Sequence, residues 1–369
     1  MTSLLDLTYY SHLEYDHPDQ LMHRHRPAIG YIDFIKDQLH IEVIKHLNFD
    51  GSLHVKGVKY SFFRKTNSFF SIPFKTHAYI RANAPDIILV QGLIFPLQLL
   101  FLRPSLAGRS KIIVQHHGEK PFRGIKGWLQ KLANKHTSAY IFTSLGNAEP
   151  WIRQGIISSQ NKCFEILEAS SWFERTDRST AKQQIGMYGN SNFLWVGRLL
   201  PNKDPLTVLL AFEKYLQIEK EAKLFMIYQN TDLLPELEEL IKASSTLRKA
   251  VKLVGEIPHD EMPVWFNAAD FYISGSHKEA AGYALLEAMS CGCIPVITDI
   301  PPYRKITNNG AFGLLFKAGD SDDLFKVLTR TRELNHSEYA DSVYRHFVSE
   351  LSFRSIANKI AALCHHLTA

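Results

Sequence analysis

The chain has 369 residues, of which 45% are hydrophobic and 21% charged, so it can build sizeable cores and is long enough for two domains of about 150 to 200 residues each. Its formal charge of +5 is unevenly spread: residues 51–150 hold 14 Lys/Arg against 3 Asp/Glu, and residues 251–300 hold 2 against 7. No basic, apolar leader opens the chain, and the apolar run at 87–102 is broken by Gln91, Gly92, Pro96 and Gln98 well short of about 20 residues, so neither a signal peptide nor a membrane span is expected.

In chain order, short apolar runs at 41–44, 87–90, 111–115 and 139–142 read as strands. Segments with helical spacing, such as 128–135, lie between them, and this alternation predicts a doubly wound α/β domain. The run at 111–115 ends in His116, His117 and Gly118. By contrast, His12, His17, His23 and His25 are too irregularly spaced to argue for a metal site. Residues 120–135 mix Arg123, Lys126, Lys131 and Lys135 with Phe122, Ile125, Trp128, Leu129 and Leu132. That pattern fits a helix packed on its own sheet with a solvated basic side, or a helix resting on a membrane surface.

Residues 175–192, polar and poor in apolar side chains, read as a linker. A second α/β set follows, with strands at 193–196, 224–228, 251–254, 270–274 and 294–298 and a closing helix at 353–367. No GxGxxG fingerprint is present, so a dehydrogenase-type dinucleotide site is not indicated. Cys163, Cys291, Cys293 and Cys364 form no disulfide framework, and Cys291-x-Cys293 lacks the partners of a zinc site, which fits a reducing, cytoplasmic location. The basic first half could attract an anionic acceptor or an anionic membrane face, or it is ordinary solubility charge. Nucleic acid is not expected as a partner, because no binding motif accompanies the charge.

Two stretches carry chemistry. The run LWVGRLLPNK at 194–203 is a strand, a turn at Gly197 and two cations, Arg198 and Lys203. A strand end feeding a loop is where α/β sheets bind ligands, and a guanidinium fork and a compact ammonium both suit phosphate oxygens. The second stretch, 274–299, sets Glu279 on a loop and Glu287 inside the helix that follows. Backbone N–H groups near Gly282, Tyr283 and Ala284 open that helix, and its positive end favours a phosphate or diphosphate. Glu287 is flanked by Leu285, Leu286, Ala288 and Met289, where an unpaired carboxylate would be expensive. A ligand with hydroxyls on both sides of a diphosphate satisfies both carboxylates. A nucleoside diphosphate (NDP) sugar is such a ligand, its hexose toward Glu279 and its ribose toward Glu287.

These stretches resemble the family 4-like (group 1) retaining glycosyltransferases. Glu279 and Glu287 match the family's E-x7-E pair, EAMSCGCIPVITD at 287–299 matches the segment that follows it, and Arg198 and Lys203 match its G-R-L-x-x-x-K motif. Residues 254–261 and 268–270 resemble the family's border of the nucleotide base. The chain departs from the pattern at Ala280 and Ala281, where the family writes glycine and an aromatic, and at Tyr228, Gln229 and Asn230, where relatives often have glycines. The first 50 residues hold only Gly30, so the usual glycine-rich loop after the first strand is missing. The resemblance is strong over residues 190–345, fair over 85–175 and weak before 85.

The resemblance implies a GT-B fold, two Rossmann-like doubly wound domains facing a central cleft. Residues 1–180 would bind the acceptor and 190–350 the NDP-sugar, with a helix at 351–369 packing back on the first domain. It further implies transfer of a hexose to the hydroxyl of a glycan, a lipid-linked glycan or another cell-envelope precursor, with retention of configuration. No metal and no cofactor is implied, and UDP, GDP and ADP donors all stay open. Arg198, Lys203 and the helix start would stabilise the leaving diphosphate, Glu287 would hold the ribose, and Glu279 and His117 the sugar, with His116 close enough to compete. The departing phosphate oxygen would take the acceptor proton, since no protein nucleophile is evident. Apart from the resemblance, the cysteines point to a cytoplasmic location, and the basic first domain allows peripheral contact with an anionic membrane. Two other classes fit the same fold: a non-catalytic nucleotide-sugar binding protein, and a phosphorylase or epimerase.

Overall fold

The computed structural model describes residues 1–9, 26–65, 71–106, 108–189 and 191–369. The histidines at 12, 17, 23 and 25 lie outside the described residues. The chain forms two compact units, Met1–Ser170 with Phe353–Ala369, and Ser171–Ser352.

The first unit is built on one eight-stranded sheet. Its strands are β1 (Ser3–Thr8), β2 (His40–Leu47), β3 (Gly51–Val55), β4 (Val58–Arg64), β5 (Ile87–Gln91), β6 (Lys111–Gln115), β7 (Ala139–Phe142) and β8 (Cys163–Glu165). They lie in the order β3-β4-β2-β1-β5-β6-β7-β8. All neighbours are parallel except β3 and β4. A parallel sheet covered on both faces needs central strands that are apolar throughout, and Ile87, Ile88, Leu89 and Val90 of β5 are all fully buried. The winding direction reverses between β1 and β5, the topological position at which open α/β sheets commonly bind ligands.

The last helix, Phe353–Thr368, packs on the short helix Ile32–Ile35 of this unit. Its first ring takes up the space beside Gly30, where a Cβ would come within 2.6 Å of Phe353. Gln38 Nε2 donates to Asn358 Oδ1 at 2.8 Å along the same seam.

The second unit carries six parallel strands: β9 (Asn192–Gly197), β10 (Lys223–Tyr228), β11 (Val251–Gly255), β12 (Phe271–Ser274), β13 (Ile294–Thr298) and β14 (Leu314–Phe316). Their order is β11-β10-β9-β12-β13-β14, so the winding reverses between β9 and β12. A cluster of aromatic rings, among them Phe193, Phe212, Tyr215 and Phe271, fills the core beneath these two strands.

Residues 175–192 are not a linker. They contain the helix Arg178–Ile185, capped by Asp177, whose carboxylate accepts from the Thr180 N–H at 2.8 Å, and ended by Gly186 at φ 65°. This helix packs on Met262–Ala268 with Ala181 as its buried residue. Lys182 holds it to Asp270 at 3.0 Å. Its anchorage is ionic and its apolar side is one alanine wide, so its composition resembles that of a loop. The chain leaves the first unit at Ser170, short of the expected 180.

Candidate functional site

Two short loops and a helix start converge at the reversal point of the second unit. After β9 the chain turns at Gly197, presents Arg198, and passes through the 3-10 turn Pro201–Lys203 into the helix Pro205–Tyr215. The loop after β12 is stitched to it, since His277 N donates to the Asn202 carbonyl at 2.8 Å and Asn202 Nδ2 to the Lys278 carbonyl at 3.0 Å. His277 Nε2 also lies 3.0 Å from Asp204 Oδ2. This approach needs Gly275, because a Cβ there would stand 2.7 Å from the Asp204 carbonyl. The stitching brings Lys203 Nζ and Glu279 Oε1 into a direct ion pair. Tyr303 Oη donates to the same carboxylate oxygen at 3.3 Å.

The third element is the helix Tyr283–Ser290, whose N-cap is Gly282 at φ 66°. A Cβ at Gly282 would lie 3.0 Å from the Tyr303 ring, so glycine is required both for the backbone angle and for the contact. Ala280 and Ala281 keep ordinary negative φ, and Ala281 is buried. The left-handed residue of the loop is therefore Gly282, immediately before the helix, where its N–H groups lack intrahelical acceptors.

Together these loops enclose a cavity of about 440 Å³ lined by Arg198, Lys203, Glu279, Glu287 and the opening turn Gly282 to Ala284. Among the described residues Arg198 makes no ion pair and is exposed, so its guanidinium is available to an anion. Glu287 is only 8% exposed. Its Oε1 lies 2.7 Å from His259 Nε2. Burial pushes the Glu287 carboxyl above its usual range, and the His259 hydrogen bond and charge restrain the rise. That hydrogen bond in turn raises the His259 imidazole above 6.5. Trp172 and Phe173 stand against the same imidazole, with ring centroids 5.1 and 5.2 Å away.

His259 was not singled out from sequence. The available signals were the buried glutamate, which had to find a partner, and the resemblance of residues 254–261 to the border of the nucleotide base, but neither singled out His259.

In the first unit the two adjacent histidines part ways. His116 is in the core, its ring 4.9 Å from Phe142 and 5.9 Å from Trp151. Its Nε2 faces the Glu119 carbonyl at 3.0 Å and its Nδ1 accepts from Gly118 N at 3.3 Å. Both ring nitrogens are used within the protein. His117 lies at the C-terminal edge of β6, with about a third of its side chain in solvent (33%).

A buried relay fixes the His117 imidazole. Tyr31 Oη donates to Asp6 Oδ2, and Gln91 Nε2 donates to the same oxygen at 3.0 Å. Gln91 Oε1 is then left to accept from His117 Nε2 at 2.8 Å, while Nδ1 donates to Glu168. Two donations require an imidazolium. Burial works against that charge, but the Glu168 charge and hydrogen bond, with Glu119 behind them, outweigh it and raise the His117 pKa.

All four cysteines are buried and free. Among the described residues no three His, Cys, Asp or Glu side chains gather as a metal site. No helix of the described residues is long and apolar enough to cross a membrane.

Residues 177–341 match the family model of glycosyl transferases group 1. The chain is 26% identical over 243 residues to the GDP-mannose:cellobiosyl-diphosphopolyprenol alpha-mannosyltransferase of Xanthomonas oryzae, covering 63% of this chain and 61% of that protein. It is 29% identical over 243 residues to the UDP-Gal:alpha-D-GlcNAc-diphosphoundecaprenol alpha-1,3-galactosyltransferase of Escherichia coli, covering 62% of each. A D-inositol 3-phosphate glycosyltransferase of Streptosporangium roseum is 25% identical over 166 residues, 43% of this chain and 38% of that one. The chain thus spans from 38 to 62% of the length of these relatives.

Among solved structures, sucrose-phosphate synthase from Thermosynechococcus elongatus superposes with a TM-score of 0.71 at 15% identity, covering 100% of this chain and 99% of that one. Anabaena HepE in complex with UDP and glucose gives 0.70 at 16% identity, with 99 and 100% covered. The second unit thus matches the group 1 glycosyltransferases, and the chain as a whole has the GT-B architecture of two Rossmann-like units.

Proposed function

We propose that this protein transfers a hexose from an NDP-sugar to an acceptor hydroxyl with retention of configuration. The observation that carries the reading is a cavity of the second unit where two cations, two carboxylates and a helix start meet at the reversal point of the sheet. Arg198, Lys203 and the N–H groups of the Tyr283 helix would stabilise charge as the diphosphate leaves, so the reading assigns no metal. On binding, phosphate would draw Lys203 away from Glu279 and free that carboxylate for hexose hydroxyls. Glu287 would accept from the ribose while keeping its bond to His259. His117, whose two N–H groups are already committed, could bind a sugar hydroxyl only where that hydroxyl replaces Gln91 at Nε2. With no protein nucleophile assigned, the departing phosphate oxygen takes the acceptor proton on the same face of the sugar.

The relatives named for diphosphopolyprenol-linked substrates support a lipid-linked glycan as acceptor, and the complex of HepE with UDP and glucose makes UDP-hexoses the first donors to try. The test is a thermal-shift series with UDP, GDP, ADP and their hexose conjugates, with and without a chelator. One nucleotide family should raise Tm in the wild type, insensitive to chelator and lost in Arg198→Ala. No shift with any of them overturns the reading.

A further inference from the structure

We propose that Asn230 is a positioning residue for Arg198, its side chain holding the backbone that aims the guanidinium at a diphosphate. Arg198 is exposed and, among the described residues, makes no ion pair, so its aim depends on the backbone that carries it. That backbone is the turn at the end of β9. Strands β9 and β10 run parallel, and their last paired residues are Gly197 and Tyr228. Two residues further along each strand come Leu199 and Asn230, level with each other but past the end of the ladder. There the Asn230 side chain replaces the missing backbone partner, and its Oδ1 accepts from the Leu199 N–H at 2.6 Å. The Leu199 carbonyl accepts from the Leu233 N–H at 3.2 Å, three residues beyond Asn230. The Leu199 side chain is fully buried in the core of the second unit. The residue after Arg198 is thus fixed by its side chain and by both of its backbone polar groups. The Arg198 carbonyl accepts from the Leu200 N–H at 2.8 Å, which tightens the same turn.

The partners of Asn230 fix which way its amide points. The Leu199 N–H only donates, so it faces Oδ1, and the Asp232 carboxylate accepts from Nδ2 on the other side. An amide serves both at once. A residue without a side-chain acceptor would leave the N–H of buried Leu199 unmet, and the turn would relax toward water to satisfy it. Tyr228, Gln229 and Asn230 form one of the places where the chain departs from the group 1 pattern, and the clasp gives the last of them a task. Lys203 is supported separately. Asn202 and His277 stitch its flank to the loop after β12, and its ammonium pairs with Glu279. The two cations of the cavity therefore have independent supports, and Asn230 serves Arg198. Its role rests on the reading of Arg198 as a ligand of the diphosphate, and extends it to a residue that does not itself line the cavity.

The experiment is a double-mutant cycle on the full chain, read by titration calorimetry with whichever of UDP, GDP and ADP raises Tm most. Asn230→Ala should weaken binding about tenfold, because a misaimed guanidinium forfeits much of its charge-assisted hydrogen bonding. In an Arg198→Ala background the same change should cost less than about twofold, whereas in a Lys203→Ala background it should keep its full effect. A general loosening of the unit would act alike in both. The exchange Asn230→Asp with Asp232→Asn keeps an acceptor for the Leu199 N–H and a donor facing it from position 232, and should return the affinity to within about twofold of wild type. Melting curves without nucleotide report that each variant is folded. Wild-type binding by Asn230→Ala, equal losses in the two backgrounds, or no recovery in the exchanged pair overturns the positioning role and leaves the assignment of Arg198 standing. Wild-type binding by Arg198→Ala, or no response to any of the three nucleotides, removes that assignment and the role of Asn230 with it.

Discussion

His259 Nε2 and Glu287 Oε1, 28 positions apart in sequence, stand 2.7 Å from each other at the inner wall of the second unit's cavity. A buried carboxylate held by one histidine still has lone pairs to offer, and a ribose diol is the donor that fits. Glu287→Gln should therefore weaken nucleoside diphosphate binding about tenfold or more, the scale of a hydrogen bond to a charged group. Titration calorimetry measures it, and an affinity within twofold of wild type would remove Glu287 from the ribose.

Arg198 lines the cavity without an ion pair among the described residues, so its removal leaves no buried charge behind. Arg198→Ala should lower kcat/KM by a factor corresponding to about 2 to 4 kcal/mol of transition-state stabilisation, with Tm nearly unchanged. Lys203→Ala should lose a similar amount, but it also strands Glu279 and should cost some stability. Wild-type turnover in both variants would sink the leaving-group assignment.

The imidazolium of His117 makes stability depend on pH with a definite sign. Its folded pKa is raised above 6.5, chiefly because the Glu168 pair outweighs burial, so the stabilisation is complete below pH 6.5. It is lost as pH rises through the folded value. Glu168→Gln should lower Tm at pH 6 by a few degrees and flatten the decline between pH 6.5 and the folded pKa. A Tm profile parallel to wild type would show that the pair contributes nothing.

Gly282 holds a left-handed backbone with the Tyr303 ring 3.0 Å from where a Cβ would be. Gly282→Ala should destabilise the second unit by about 1 to 2 kcal/mol, or about 3 to 6 °C in Tm. It should also weaken NDP-sugar binding, because the helix start proposed to receive the diphosphate would shift. Calorimetry on the apo and donor-bound variant separates the two effects.

The strands of the second unit could be read from sequence because each is a short apolar run between turn signals; the expected 193–196, 224–228 and 294–298 lie inside or on β9, β10 and β13. Strand β1 escaped notice because Asp6 interrupts its apolar pattern, and that aspartate is buried only because Tyr31 and Gln91 satisfy it from elsewhere. Periodicity cannot report a partner 85 residues away. The helix Arg178–Ile185 was missed for a related reason, its attachment being ionic. Arg198, Lys203, Glu279 and the Gly282 helix start were visible because each sits at a strand end or a helix start, where local sequence sets local backbone. His259 was not, since its role depends on a tertiary contact.

The chain enters the second unit after Ser170 and returns to the first at Phe353, whose ring fills the space beside Gly30. On the ribosome, the first unit therefore emerges without its final helix and waits for another 182 residues, 171 to 352, before it can be completed. During that interval Ile32 and Ile35, on the helix that Phe353–Thr368 packs against, lack their final cover. The first unit thus cannot be completed before the second has been made, which ties the cover of Ile32 and Ile35 to synthesis of the entire intervening unit.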